Sequence, residues 1–213
     1  MIIIKPSVLI AEDFSAVGRL SATAAIAVFS AFGLQTATLP TELLSTQTEG
    51  FGKPTTQNTD SFIRRATGHW NGLDDLQFNS GIVGYVGKIS TANLLYDYLS
   101  GVSLPDLLID PVLGDQGKMY AGFEPGYLDA IKRLASIATI ITPNITELGL
   151  LSGERLRVNA SDDRIHQAVT DYREATHSKA KVIVTGVHRD GGIGCVYVKG
   201  DQLKWAGSPL IGG

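Results

Sequence analysis

The sequence predicts an α/β fold in which helices cover both faces of a mainly parallel sheet. Short apolar runs, such as VLIA at 8–11 and KVIVTG at 181–186, alternate with longer segments of helical period along the chain. Repeated strand–helix alternation is typical of βαβ units, whose strands run parallel. Apolar residues make up 44% and charged residues 18%, a balance typical of globular rather than disordered chains.

Turn-forming and capping residues divide the first half of the chain. A helix rich in alanine follows the first strand and ends at Gly33, because glycine favours helix termination. The second strand lies before Pro40, and Thr59 or Asp60 caps the next helix. The polar segment 45–58 contains Gly and Pro and is predicted to be a long loop. The predicted elements are strands at 8–11, 36–39, 81–85 and 106–110 and helices at 17–33, 59–70 and 90–99.

The second half continues the alternation and closes with a hairpin. Pro125 lies near the start of one predicted helix, a position that proline favours, and Gly153 ends another. The runs GCVYVKG and DQLKWAG are predicted to pair around Gly200 and Asp201. The other predicted elements are helices at 125–138, 144–153 and 161–178 and strands at 139–143 and 181–186.

Composition and charge argue against several classes of protein. A length of 213 residues suffices for one α/β domain. The net charge of -3 argues against a nucleic-acid-binding protein, and the single Cys195 excludes an internal disulfide and a cysteine-built zinc site. The N-terminal segment lacks the pattern of a signal peptide, and no apolar run is long enough to span a bilayer. We therefore expect a soluble, cytoplasmic protein that binds neither nucleic acid nor membrane.

Oxygen-bearing side chains gather where the predicted strands end. Asp110 and Asp115 come after the apolar run DLLI, and Asn144 and Glu147 come after the next strand, TIIT. In a parallel sheet, ligands bind beyond the carboxyl ends of the strands. Oxygen ligands suit a hard cation such as Mg²⁺, which phosphoryl transfer requires to offset the charge of a nucleotide. Pro111 keeps Asp110 out of helical geometry, so that its carboxylate can turn away from the strand end.

The same four residues also fit structural roles. Asp-Pro and Gly-Asp are ordinary turn dipeptides. Asn144 is a good helix cap, with Glu147 in the first turn of the helix. Each residue taken singly is explained by structure, and only their common position at one sheet edge favours a functional site. Both interpretations therefore stay open at this point.

Four segments of the chain together resemble a known family. DPVLGDQGKMY at 110–120 and IITPNITEL at 140–148 are similar to the paired signatures of pyridoxal kinases, in the ribokinase-like superfamily. GYVG at 84–87 and LLSTQTEGFG at 43–52 resemble that family's substrate segments. The match runs in order and covers almost the whole chain. It implies a ribokinase-like fold and ATP-dependent phosphorylation of the hydroxymethyl group of pyridoxal, pyridoxine or pyridoxamine.

The resemblance implies a nucleotide site and a vitamin pocket. The residues that would organise Mg²⁺, directly or through water, are Asp110, Asn144 and Glu147. The residues that would contact ATP are Asp115, Tyr120, Asn144 and Thr185. The residues that would line the vitamin pocket are Asp13, Ser15, Thr48 and Tyr85. Loop 45–58 would fold over the substrate and exclude water, and relatives are commonly homodimers.

Departures from the family pattern leave other functions open. Asp13 stands where pyridoxal kinases often have serine, and an aspartate at this position resembles the hydroxymethylpyrimidine kinase branch. Phosphorylation of hydroxymethylpyrimidine is therefore a second hypothesis. We expect residues 1–213 to form one ribokinase-like domain that lacks its C-terminal part, because the sequence stops at SPLIGG, before the family's Gly-x-Gly-Asp turn and the following helices. The Asp of that turn would be the general base. It is expected to lie beyond Gly213, so the catalytic residue is unknown. A third hypothesis is a nucleotide-binding module that does not catalyse.

Overall fold

The computed structural model describes residues 7–48, 50–199 and 202–210. The chain divides into two compact units, residues 1–108 and residues 109–213. The boundary falls one residue before the end of a strand at Asp106–Ile109. The prediction of a single domain that lacks its C-terminal part stays a prediction.

The first unit is a parallel α/β arrangement with one antiparallel strand at its edge. Its elements are β1 (Val8–Ser15), α1 (Ser21–Ala31), β2 (Thr36–Leu44), β3 (Thr56–Asn58), α2 (Asp60–Trp70), β4 (Ser80–Val83), α3 (Ile89–Gly101) and β5 (Asp106–Ile109). The strand order is β5-β4-β1-β2-β3, and β1 is parallel to both of its neighbours. Strand β3 pairs antiparallel with β2.

Strand β1 forms the centre of the first unit's core. Val8, Leu9, Ile10 and Ala11 are all buried, which fits a strand covered on both faces and explains its continuous apolar run. Helix α1 packs Ala22 against Val8 and Ile10, and the partly buried side chains of Ala25, Ile26 and Phe29 pack against that contact. The chain direction of the parallel strands places the carboxyl ends of β1, β2 and β4 at one edge of this sheet.

The second unit combines a short parallel pair with a three-stranded antiparallel ribbon. Its elements are β6 (Gly114–Asp115), β7 (Lys118–Met119), α4 (Tyr127–Ala135), β8 (Ile140–Ile141), α5 (Ile145–Ser152), α6 (Asp162–Thr176), β9 (Lys181–Arg189), β10 (Gly192–Lys199) and β11 (Gln202–Pro209). Strand β8 is parallel to β9, and β10 pairs antiparallel with β9 and β11. Strands β6 and β7 form a separate hairpin.

The predicted α/β fold with mainly parallel strand pairs is confirmed, with differences at element ends. Strand β2 continues through Pro40 to Leu44 instead of stopping before the proline. Its pairing with β1 shifts register just beyond Pro40, which accommodates the missing N–H of that residue. The predicted loop 45–58 contains strand β3. The predicted turn at Gly200 and Asp201 lies outside the described residues, although the strands on either side of it pair.

Among the residues that the structure describes, no helix is both long enough and apolar enough to cross a bilayer.

Candidate functional site

Asn144 and Glu147 form a reciprocal cap at the start of helix α5. The Asn144 Oδ1 atom accepts hydrogen bonds from the backbone N–H groups of Thr146 (2.8 Å) and Glu147 (2.9 Å). In return, the Glu147 Oε2 atom accepts from the Asn144 N–H at 2.8 Å. Asn144 Nδ2 donates to the Gly114 carbonyl at 2.8 Å, which ties the cap to the β6–β7 hairpin. The prediction that Asn144 and Glu147 cap this helix is therefore confirmed.

Glu147 lies deeper than its position in the first turn of α5 suggests. Only 3% of the residue is exposed, and its Oε1 atom accepts a hydrogen bond from the Leu113 N–H at 2.9 Å. Burial raises the pKa of Glu147 to about 7, even though the N–H groups of Asn144 and Leu113 favour the charged form. The negative charge of Asp110 raises it further, so these two carboxyl groups lie close enough to repel.

Asp110 is the second buried carboxyl group of this cluster. It directly follows β5, whose last carbonyl, on Ile109, accepts a hydrogen bond from Thr142 N–H at 3.1 Å. Burial raises the pKa of Asp110 to about 6, and a hydrogen bond from the backbone of Val112 opposes that shift. The structure thus brings Asp110, Asn144 and Glu147 together within the second unit.

The donor set fits a hydrated cation better than a cage of protein ligands. Both oxygens of Glu147 and the Oδ1 of Asn144 already accept backbone hydrogen bonds. Asp110 is therefore the group best placed to contact an ion directly, and the other two would act through water, as Mg²⁺ sites commonly do. Among the described residues, no three His, Cys, Asp or Glu side chains group closely enough to hold a metal ion. Two repelling buried carboxylates nevertheless favour a cation between or beside them.

Two of the residues predicted to contact ATP, Asp115 and Tyr120, lie on or directly after the β6–β7 hairpin. Asp115 is exposed and accepts a hydrogen bond from the N–H of Gln116 at 2.7 Å, and Tyr120 is 46% exposed. Gly114 is required by the hairpin itself, because a Cβ there would collide with the carbonyl of Lys118. The hairpin is anchored to α5 by the hydrogen bond from Gly117 N–H to Thr146 Oγ1, at 2.9 Å.

Thr185 lies beside the α5 cap, as its predicted role requires. It forms an isolated parallel bridge with Asn144, and its N–H donates to the Pro143 carbonyl at 2.9 Å. The carboxyl end of β8 and the middle of β9 are therefore held in register at this point. Contact of Thr185 with a nucleotide stays a prediction.

The predicted general base has no position in the described part of the chain. It is expected beyond Gly213, and Gly213 itself lies outside the described residues, which end at Leu210. The structure therefore does not test that expectation, and the identity of the base stays a prediction. None of the buried carboxyl groups of the second unit is assigned the role in its place.

The first unit contains a second polar cluster at the ends of β1, β2 and β4. Asp13 is 6% exposed, and burial raises its pKa although the nearby hydroxyls of Ser21 and Ser15 lower it. Tyr85 is half-buried; burial raises its pKa, and the charges of Glu42 and Asp13 add to that shift. Asp13 therefore lies near both Ser15 and Tyr85, and the role of these three residues in a vitamin pocket stays a prediction.

A network of threonine hydroxyls fixes the backbone around this cluster. The Thr41 hydroxyl donates to the Tyr85 carbonyl at 2.6 Å, and the Thr59 hydroxyl donates to the Thr41 carbonyl at 2.8 Å. Both threonines are buried. The positions of β2, of α2 and of the segment after β4 are therefore coupled through two hydrogen bonds.

Thr48 is the most exposed of the four residues predicted to line the vitamin pocket. It is exposed, in the segment between β2 and β3. The base of that segment is closed by hydrogen bonds from Ser45 N–H to the Thr55 carbonyl (2.9 Å) and from Thr55 N–H to Ser45 Oγ (3.0 Å). Gln47 N–H also donates to the Val17 carbonyl at 2.9 Å. The role of Thr48 in the pocket stays a prediction.

Glu42 is a site residue that the sequence did not predict. It is 7% exposed and lies near the carboxyl end of β2, in the part of the strand beyond residue 39, where the sequence predicted the strand to end. Burial raises its pKa, Lys88 lowers it, and Asp13 raises it, so Glu42 belongs to the same cluster as Asp13. The sequence signal that could have indicated this residue is a carboxylate directly before the apolar pair Leu43 and Leu44.

Comparison with known proteins identifies the family of this chain. The family model described as phosphomethylpyrimidine kinase matches residues 22–212. The chain belongs to the phosphomethylpyrimidine kinase family. Pyridoxal kinase from Lactobacillus plantarum has a solved structure with a TM-score of 0.89 and 34% identity; the match covers 98% of this chain and 74% of that one. The predicted resemblance to pyridoxal kinases and the ribokinase-like fold are both confirmed.

Two further relatives bear on the substrate. A presumed phosphomethylpyrimidine kinase from Bacteroides thetaiotaomicron, solved with pyridoxal, has a TM-score of 0.78 and 27% identity over 91% of this chain and 68% of that one. Pyridoxal kinase from Arabidopsis thaliana is 30% identical over 95 residues, which are 42% of this chain. That alignment spans only 30% of the Arabidopsis protein.

Proposed function

We propose that this protein transfers the γ-phosphoryl group of ATP to the hydroxymethyl oxygen of pyridoxal, pyridoxine or pyridoxamine, giving the 5′-phosphate. The observation that carries the proposal is the assembly of Asp110, Asn144 and Glu147 at the start of α5. That assembly occurs in a chain of a vitamin-kinase family. Such a site has little covalent chemistry to perform, because phosphoryl transfer depends on positioning and on charge neutralisation.

In the nucleotide site, Mg²⁺ would offset the charge that develops on the phosphates. Asp110 would hold the ion, and Glu147 and Asn144 would orient its water ligands while they fix the helix start. Asp115 and Tyr120, together with Thr185, would contact the phosphates of ATP. The catalytic base is not assigned to any residue of this chain.

The cluster of the first unit would bind the vitamin. Asp13, Ser15 and Tyr85 are held at the strand ends, and Thr48 belongs to the loop that would close over the substrate. A relative of this family is solved with pyridoxal, which supports a B6 vitamer as the ligand. Closure of the loop would exclude water, which otherwise hydrolyses ATP.

A hydroxymethylpyrimidine kinase is the second candidate function. The family model that matches the chain has that description, and Asp13 favours it. A nucleotide-binding module without catalysis is the third candidate, since no general base is assigned. We further propose a cytoplasmic homodimer, supported by exposed apolar side chains on and beside α1, among them Val28 and Phe32.

Assays of the complete protein separate these candidates. The protein is incubated with ATP, Mg²⁺ and, in parallel, each of the three B6 vitamers or hydroxymethylpyrimidine. We expect phosphorylation of a B6 vitamer with the higher kcat/KM. A higher kcat/KM for hydroxymethylpyrimidine would establish the second candidate, and ATP binding in calorimetry without turnover of any substrate would establish the third.

A further inference from the structure

Glu42 places a second carboxylate beside Asp13 in the cluster of the first unit. Strand β2 pairs Glu42 with Asn58 of β3, which fixes its position near the edge of the sheet. A Cβ built on Gly87 would lie 3.3 Å from Glu42 Oε2 and 3.3 Å from the Tyr85 hydroxyl. The glycine at 87 thus leaves room beside a carboxylate and a phenol, and its positive φ of 81° suits a residue without a side chain.

The charges around Glu42 do not balance. Asp13 acts on it as a like charge, and Lys88 acts as an opposite charge. Lys88 is exposed, whereas both carboxylates are buried. Because solvent screens an exposed charge more strongly than a buried one, the cluster retains a net negative character. Hydroxyl groups, of Thr56 at Glu42 and of Ser21 at Asp13, offset part of the cost of burying the two carboxylates, and a further cation would offset more of it.

Ser15 provides an independent indication that a ligand belongs in this cluster. Its residue is 2% exposed, and its hydroxyl oxygen has no hydrogen-bond partner of good geometry among the described residues. It nevertheless lies close enough to Asp13 to lower the pKa of that carboxyl group. A buried hydroxyl without a partner costs free energy, and a polar ligand group at this position would satisfy it.

We propose that Glu42 and Asp13 together select a substrate that carries a protonated amine, and that Glu42 is the specificity-determining residue. The inference rests on the proposed function, within which it names the preferred substrate class: the aminomethyl vitamer, pyridoxamine, over the aldehyde vitamer, pyridoxal. An alkyl ammonium group is charged at neutral pH, as in lysine, and pairs with a buried carboxylate. The neutral aldehyde offers no such charge and leaves the pair of carboxylates uncompensated.

The test compares two substrates in the complete protein and in the variant Glu42→Gln, which keeps the shape of the side chain and removes its charge. We expect kcat/KM for pyridoxamine to fall at least tenfold and that for pyridoxal to change by less than threefold. The matched control is Glu174→Gln, the same substitution at an exposed position of α6, which should change neither value. Equal losses for the two substrates in Glu42→Gln would overturn the proposal.

A second variant keeps the proposal falsifiable if Glu42→Gln does not fold. Lys88→Met removes the cation that opposes Glu42. The ratio of kcat/KM for pyridoxamine to kcat/KM for pyridoxal should therefore increase at least threefold, and calorimetry should show the same change in the ratio of the two binding affinities. An unchanged or decreased preference would overturn the proposal. Failure of the proposed function has a different result, since the wild-type protein would then phosphorylate none of the B6 vitamers.

Discussion

Replacing Glu147 with alanine tests whether the buried carboxylate holds the start of α5. The substitution removes the acceptor of two backbone N–H groups, on Leu113 and Asn144. The Leu113 bond is buried, and an unsatisfied buried donor costs about 1–3 kcal/mol. Loss of half of the capping box adds about 1 kcal/mol. We therefore expect the free energy of unfolding to fall by about 2–4 kcal/mol, a large part of the roughly 5–15 kcal/mol typical of a folded protein.

The assay is urea unfolding followed by far-UV circular dichroism, with and without Mg²⁺. Glu174→Ala is the matched control, because Glu174 is an exposed glutamate of α6, and it should change the unfolding free energy by no more than about 0.5 kcal/mol. A loss below about 1 kcal/mol for Glu147→Ala would refute the reasoning, since it would mean that the two N–H groups do not depend on this carboxylate. A loss in the expected range shows that activity measurements on this variant must be made on the folded fraction.

Three other predictions concern the same two units. Burial raises the pKa of Asp110 from 3.8 to about 6 and that of Glu147 from 4.5 to about 7, so the folded chain holds protons that the unfolded chain has released. Without divalent cations the free energy of unfolding should therefore fall as the pH rises from about 4 to about 7, and a urea midpoint that rises over this range would contradict the shifts. Gly114→Ala forces a Cβ against the Lys118 carbonyl, so it should destabilise the hairpin by about 1–3 kcal/mol and raise the KM for ATP; an unaltered KM would separate the hairpin from nucleotide binding. Thr48→Ala should raise the KM for the vitamin more than the KM for ATP, and equal increases would argue against its place in the pocket.

Local signals in the sequence predicted the elements around the proposed nucleotide site well. Asn144 and Gly153 bound helix α5 as predicted, because an N-cap side chain and a left-handed glycine act on their immediate neighbours. Strand β9 is longer than predicted and turns at Asp190 and Gly191, both with positive φ. The Asp-Gly dipeptide is a hairpin signal that could have indicated this turn.

Long-range pairing decided what the local pattern could not. The first unit's strand β2 runs past Pro40 because its hydrogen bonds come from β1 and β3, which lie elsewhere in the chain. The same extension carries Glu42 into a buried position, so a residue that the sequence left unremarked joins Asp13 and Tyr85.

The sequence by itself determined the α/β architecture, the family resemblance and the positions of carboxylate and amide side chains after the strands. Periodicity and capping could be predicted because they depend on neighbouring residues. Only the tertiary structure decided how deeply those groups are buried and which of them meet. The carboxylate of Glu147 accepts a hydrogen bond from the N–H of Leu113, 34 residues earlier, and this buried contact holds the side chain in the interior. Burial depends on what packs against a residue from distant parts of the chain, and the raised pKa of such a carboxyl group follows from that burial.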